Sequence, residues 1–239
     1  MSKTDIPWCD ETWNPVWGCK STKCPFCYAR NKVFPLSKYA KTHDFNTPFL
    51  VPDNLNKKFA KKTQRVFVNS MSDIMYWEPE WWEMVIDRIG EHPEIDFIFL
   101  TKGGWEAYHD TGIDFPYNCI LGITVTGGDL GSIVHPTYRE MGCKWLLNIE
   151  PILTPIPMLP FAKLLHGYDW LIIGAETGGV KGRKPVMAVY NMMQDIINYA
   201  IEARKPLFIN PSLEDVVPAE QYVQQYPHLA RPEIEWLFD

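Results

Sequence analysis

No stretch of the 239 residues stays apolar for the ~20 positions that a bilayer-spanning helix needs. The opening residues, Met1-Ser2-Lys3-Thr4-Asp5-Ile6, lack the basic-then-apolar pattern of a secretory leader. These two absences predict a soluble, cytoplasmic protein with no membrane partner. No repeat of constant period and no low-complexity tract occurs, and the prolines are scattered rather than gathered into a linker. A single domain over residues 1–239 is therefore expected, with the segment 211–239 as a peripheral tail. Excess positive charge is missing too: 23 Lys and Arg face 29 Asp and Glu, for a net charge of −6. That balance argues against a protein that coats nucleic acid with its whole surface, while a local basic patch can still bind phosphate.

What is present is apolar residue in regular instalments. Hydrophobic residues make up 46% of the chain, enough for one sizeable core. Runs rich in β-branched and aromatic residues recur at 65–68, 97–100, 120–125, 145–149, 170–173 and 207–209, after a weaker candidate at 13–17. Several are apolar at every position, as in parallel strands covered on both faces. Between them lie helical patterns, notably 80–90, with Trp81, Met84, Val85 and Ile89 on one face, and 186–203. Alternating β and α elements predict a parallel α/β architecture, as barrel or open sheet.

Six cysteines in a protein expected in a reducing compartment are poor candidates for disulfides. Cys119 and Cys143 sit beside strands in apolar company and read as packing residues. Cys19, Cys24 and Cys27 differ: they form a C-x4-C-x2-C loop just after the first strand candidate. Three thiolates on one short loop suit three irons of a [4Fe–4S] cluster and leave the fourth iron open. A zinc site needs a fourth ligand, for which Cys9, His43 or a water are the candidates. Cys9 as a fourth thiolate would instead close the cluster into an electron carrier.

In a parallel barrel the strand ends converge on one rim. That rule nominates Lys102 for an anionic group, Thr124 and Thr126 for a ribose, and Asn148 with Glu150 as an amide and a carboxylate facing cofactor or substrate. Glu176 stands among Gly174, Gly178 and Gly179, which let a ligand approach the backbone closely. The cluster Lys181-Gly182-Arg183-Lys184 falls on the same rim and suits phosphate. The run Lys57, Lys58, Lys61, Lys62 and Arg65 reads as a solvated helix face.

At the cysteine loop the chain resembles the radical S-adenosylmethionine (SAM) superfamily, whose usual loop is C-x3-C-x2-C with an aromatic residue before the last cysteine, the place held here by Phe26. The first spacing is one residue longer in this chain. More closely, it resembles the phage Gp37/Gp68 family through Ile6-Pro7-Trp8, Thr12-Trp13-Asn14-Pro15, Cys27-Tyr28-Ala29, Val68-Asn69-Ser70-Met71-Ser72-Asp73, Leu100-Thr101-Lys102, Leu121-Gly122-Ile123-Thr124-Val125, Asn148-Ile149-Glu150-Pro151 and Ile173-Gly174-Ala175-Glu176-Thr177-Gly178. The resemblance implies a partial TIM-like (β/α)6 barrel with N- and C-terminal extensions. It also implies a [4Fe–4S] cluster and SAM as cofactors, and a reductant such as flavodoxin or ferredoxin as partner. Phe26, Tyr28, Asn69, Ser70, Ser72, Asp73, Thr124, Thr126, Asn148 and Gly174 would then serve SAM, and Lys102, Glu150 and Glu176 the chemistry. The implied activity is cleavage of SAM to a 5′-deoxyadenosyl radical that takes hydrogen from a substrate carbon. The phage resemblance suggests an amino-acid-modified thymine in DNA, isomerised in the host cytoplasm. The competing expectation is a zinc- or Fe–S-binding module that docks nucleic acid without turnover.

Overall fold

The computed structural model describes residues 4–22, 24–127, 142–154, 165, 167–175 and 187–227. The apolar runs become strands β4 (Arg65–Phe67), β5 (Asp96–Thr101), β6 (Cys119–Thr124), β7 (Lys144–Ile149), β8 (Trp170–Ile173) and β9 (Leu207–Ile209). They pair in parallel, in chain order, and β1 (Glu11–Thr12) adds to the free edge of β4. The product is a curled, seven-stranded parallel half-barrel sheet.

The expectation for the first strand is corrected. Residues 13–17 do not enter this sheet; β2 (Val16–Trp17) pairs antiparallel with β3 (Phe49–Leu50) as a separate ribbon. The sheet takes the more polar pair just upstream, because Glu11 is satisfied there by Lys57 at 2.9 Å and by the Thr63 hydroxyl at 2.5 Å. Trp13 is instead fully buried and donates its indole N–H to the Asn54 carbonyl at 2.6 Å. The basic run after residue 56 is not a helix face either. Helix ends at Leu55, and Lys57 reaches back to the Thr12 carbonyl at 2.6 Å.

Alternation along the strands divides the sheet into two faces. Val66, Phe97, Phe99, Leu121, Leu147, Leu171 and Ile209 face the helices in the main core. There the helix Pro79–Gly90 buries Trp82, Val85 and Ile89, while Met84, expected on that stripe, is exposed. The helix Met187–Glu202 adds Met193, Ile196 and Ile197. Each such side chain contributes roughly 1.5–3 kcal/mol on burial. The concave face carries Phe67, Ile98, Ile120, Leu146, Trp170, Ile172 and Phe208, closed over by Trp8 and Tyr226. The described part of the tail thus packs on the sheet: Gln224 bridges to Phe208, and Trp170 donates to the Gln225 carbonyl at 3.0 Å. Above this apolar tier, toward the carboxyl ends of the strands, the same face turns polar with Asn69, Thr124, Asn148 and Asn210.

Candidate functional site

The cysteine loop is fastened to the end of β4 mainly by backbone. Asn14 accepts from the Ser70 hydroxyl at 3.0 Å and the Met71 N–H at 2.9 Å, joining the segment before the loop to the one after β4. Gly18 takes φ +94° and donates to the Met71 carbonyl at 3.0 Å, and Cys19 N–H donates to Phe45 at 2.7 Å. A Cβ on Gly18 would stand 2.9 Å from the Phe45 carbonyl oxygen, so the close approach requires glycine. From the other side, one Arg30 guanidinium nitrogen donates to the carbonyls of Cys19 and Ser21, each at 2.8 Å.

Two thiols receive backbone N–H groups: Ser21 N–H points at Cys19 Sγ and Arg30 N–H at Cys27 Sγ, both at 3.4 Å. Burial pushes the Cys19 thiol up to about 11, with Asp73, Cys27 and Cys24 adding to the rise against the Ser21 N–H. Three thiolates here therefore call for a positive charge among them. Among the described residues, no three His, Cys, Asp or Glu side chains are grouped to hold a single metal ion.

All three cysteines line one cavity of about 470 Å3, and the strand ends form its other wall. Of the expected site residues, Phe26, Tyr28, Asn69, Ser70, Ser72, Asp73, Lys102, Thr124, Asn148 and Glu150 line it as well. Thr126 and Gly174 do not, and Glu176 with the 181–184 cluster lies outside the described residues. Gly174 acts indirectly: a Cβ there would meet the Glu150 carboxyl carbon at 2.6 Å, so its bareness makes room for that side chain.

Several expected ligand contacts are already engaged within the protein. Asn69 clamps Leu100, donating to its carbonyl at 2.6 Å and accepting from its N–H at 3.0 Å. Asp73 accepts from the Thr101 hydroxyl at 2.6 Å and the Lys102 N–H at 3.0 Å. Ser72 accepts from the Trp77 indole at 3.0 Å. Asn69 and Asp73 thereby shape the rim by tying the segment after β4 to the end of β5, and Ser72 pins Trp77 in the connection between them. Asn148 is different. Its side-chain amide N–H donates to the Thr124 hydroxyl at 3.3 Å, while its side-chain oxygen Oδ1 is buried without a partner among the described residues. A buried, unpaired acceptor on a cavity wall is poised for a donor from a ligand.

Glu150 also stands ready. Burial pushes its carboxyl up to about 7, against the Asn210 side chain, which donates at 3.2 Å, and the Lys102 charge. Sequence reasoning missed Asn210 and Arg30. Asn210 directly follows β9, so the strand-end rule that nominated Asn148 would have found it. No sequence signal marks Arg30 as the clamp. Cys9 is buried in the apolar tier and is not among the residues lining the cavity. Cys119 is fully buried, and Cys143 donates to the Phe115 and Pro116 carbonyls, as packing residues do.

A family model described as "Protein of unknown function (DUF5131)" matches residues 3–203. No curated protein matches the sequence.

Proposed function

We propose that this chain, which belongs to the DUF5131 family, is a radical SAM enzyme in which Cys19, Cys24 and Cys27 hold a [4Fe–4S] cluster. The observation that carries this reading is the shared cavity: three thiols on one wall, polar strand ends on the other. The donor set fits the group. Thiolate is the ligand such clusters take, the three cysteines would hold the group, and the N–H groups directed at Cys19 and Cys27 would stabilise sulfur-borne charge. Bound there, the cluster and SAM supply an electron and a 5′-deoxyadenosyl radical that abstracts hydrogen from a substrate carbon.

The residues of the chain bind, orient and shelter. Phe26 and the exposed Tyr28 offer aromatic surface beside the sulfurs. Thr124 and Asn148 present hydrogen-bonding groups at adjoining strand ends. Glu150, whose carboxyl burial pushes up to about 7, is suited to taking and giving a proton near neutral pH, and Lys102 to pairing with an anionic group. The curled parallel sheet is, in this reading, the frame of a partial (β/α)6 barrel. The substrate we propose is a modified nucleobase, such as an amino-acid-bearing thymine of phage DNA, isomerised through a carbon radical.

The deciding experiment is anaerobic reconstitution with iron and sulfide, reduction, and addition of SAM. Formation of 5′-deoxyadenosine is expected. An intact cluster without that product, or a colourless protein holding one tight zinc, would overturn the proposal.

A further inference from the structure

Parallel register sets the polar residues at the strand ends in two rows above the apolar tier of the concave face. Leu146, Asn148 and Glu150 alternate onto that face along β7 and past its end, as do Ile172 and Gly174 for β8, and Phe208 and Asn210 for β9. Thr124 pairs with Asn148, and Asn148 with Ile172, which makes the lower row. Ile149 pairs with Ile173, and Ile173 with Ile209, so one residue further on Glu150, Gly174 and Asn210 come level. Because Gly174 is bare, the Glu150 carboxyl lies across it and accepts from the Asn210 side chain through Oε1 at 3.2 Å. The second Glu150 oxygen has no partner among the described residues, and neither has Oδ1 of Asn148, a residue only 5% exposed. Lys102, just past β5, is exposed on the same cavity and forms no salt bridge among the described residues, while its charge acts on the Glu150 carboxyl.

The cavity wall therefore offers two unfilled acceptors in its depth and one unpaired cation beside them. We infer that these groups form the subsite for an α-amino-acid group carried by the substrate, with the ammonium on Asn148 Oδ1 and the Glu150 carboxylate and the α-carboxylate on Lys102; this deepens the function proposed above and rests on it. A primary ammonium has three N–H donors and serves both acceptors at once, and its bond to a carboxylate is about twice as strong as one between neutral groups. A neutral N–H, such as the imide edge of a base, fills Asn148 but leaves the buried carboxylate and the Lys102 charge unmatched. A phosphate suits Lys102 and is repelled by Glu150. A group bearing both charges answers all three. The subsite belongs to the ends of β7, β8 and β9, at the other end of the strand order from β4, where the cysteine loop is fastened. It is thus distinct in position from the residues that follow β4.

The test is titration calorimetry on the reconstituted protein saturated with SAM, with three probes. The first is thymidine whose methyl carbon is bonded to the α-carbon of glycine; the second has a hydroxyl in place of the amine, and the third a carboxamide in place of the carboxylate. Wild type should bind the amino acid at least ~10-fold more tightly than the hydroxyl form, as loss of a charge-assisted hydrogen bond implies. Glu150→Gln and Asn148→Ala should each shrink that ratio toward one, and Lys102→Met should abolish the preference for carboxylate over carboxamide. Every comparison sets two ligands against each other on one protein, so a partly unfolded variant weakens both alike and keeps their ratio. Equal binding of the amine and hydroxyl forms by the wild type, or a ratio unchanged in Glu150→Gln or Asn148→Ala, would overturn the inference. So would no binding by the wild type, or displacement of SAM by the amino-acid nucleoside, which would make this the cofactor's own site. Failure to form 5′-deoxyadenosine with dithionite would strike the proposed function instead, and the same titrations without SAM would still decide the subsite.

Discussion

Glu150 lets the physics of the cavity be checked without any ligand. Its carboxyl ionises near 4.5 in an unfolded chain and near 7 in the folded protein, because burial disfavours the charge more than Asn210 and Lys102 favour it. The folded state thus holds this proton more tightly, and the linked stability is full below about pH 4.5 and is lost as pH rises through about 7. At about 1.36 kcal/mol per pH unit this comes to ~3 kcal/mol, and the opening of the cavity to water reduces it to about 2. Glu150→Gln retains the shape and can still accept from Asn210, but carries no titrating proton. Urea unfolding under anaerobic conditions should find the two proteins nearly equal near about pH 4.5 and the variant more stable by about 2 kcal/mol near pH 8. Stability curves that run parallel across this range would refute the argument, since Glu150 would then ionise as it does in solvent.

Removing the nearby charge with Lys102→Met should move the wild-type loss of stability to higher pH in the same titration, because Lys102 favours the Glu150 carboxylate. After reconstitution, Cys19→Ala, Cys24→Ala and Cys27→Ala should each abolish the visible absorbance of the cluster, whereas Cys9→Ala, buried in the apolar tier, should retain it. Gly18→Ala forces a side chain into positive φ and against the Phe45 carbonyl, so thermal unfolding should show a loss of ~1–3 kcal/mol. Asn14→Ala leaves the Met71 N–H without its acceptor and should cost about 1–3 kcal/mol in the same measurement.

The sheet was legible because its strands are buried on both sides: Phe97 to Leu100 or Ile120 to Ile123 leave no polar position to mislead. The edge was not. Trp13 and Val16 have strong strand character, yet propensity says nothing of partners, and Glu11 enters the sheet only because Lys57 and Thr63 wait for it some 50 residues away. Of the site, the cysteines and the ends of β6 and β7 could be read directly. The clamping roles of Asn69 and Asp73 could not, since a polar residue at a strand end looks the same whether it will face a ligand or the backbone of the next strand. Met84 shows a similar limit: a helical stripe can be drawn one residue to either side of the true one.

The way the cysteine loop is fastened bears on how such a sequence can drift. Its two ends are fixed independently, at Cys19 by the Phe45 carbonyl and at Cys27 and Arg30 by the turn that follows, with the guanidinium spanning the gap. These ties run through backbone groups, the Ser21 carbonyl among them, and so put no demand on which side chain stands at position 20 or 22. Relatives are therefore better sought by the anchors Asn14, Gly18 and Arg30 than by the residues written between one cysteine and the next.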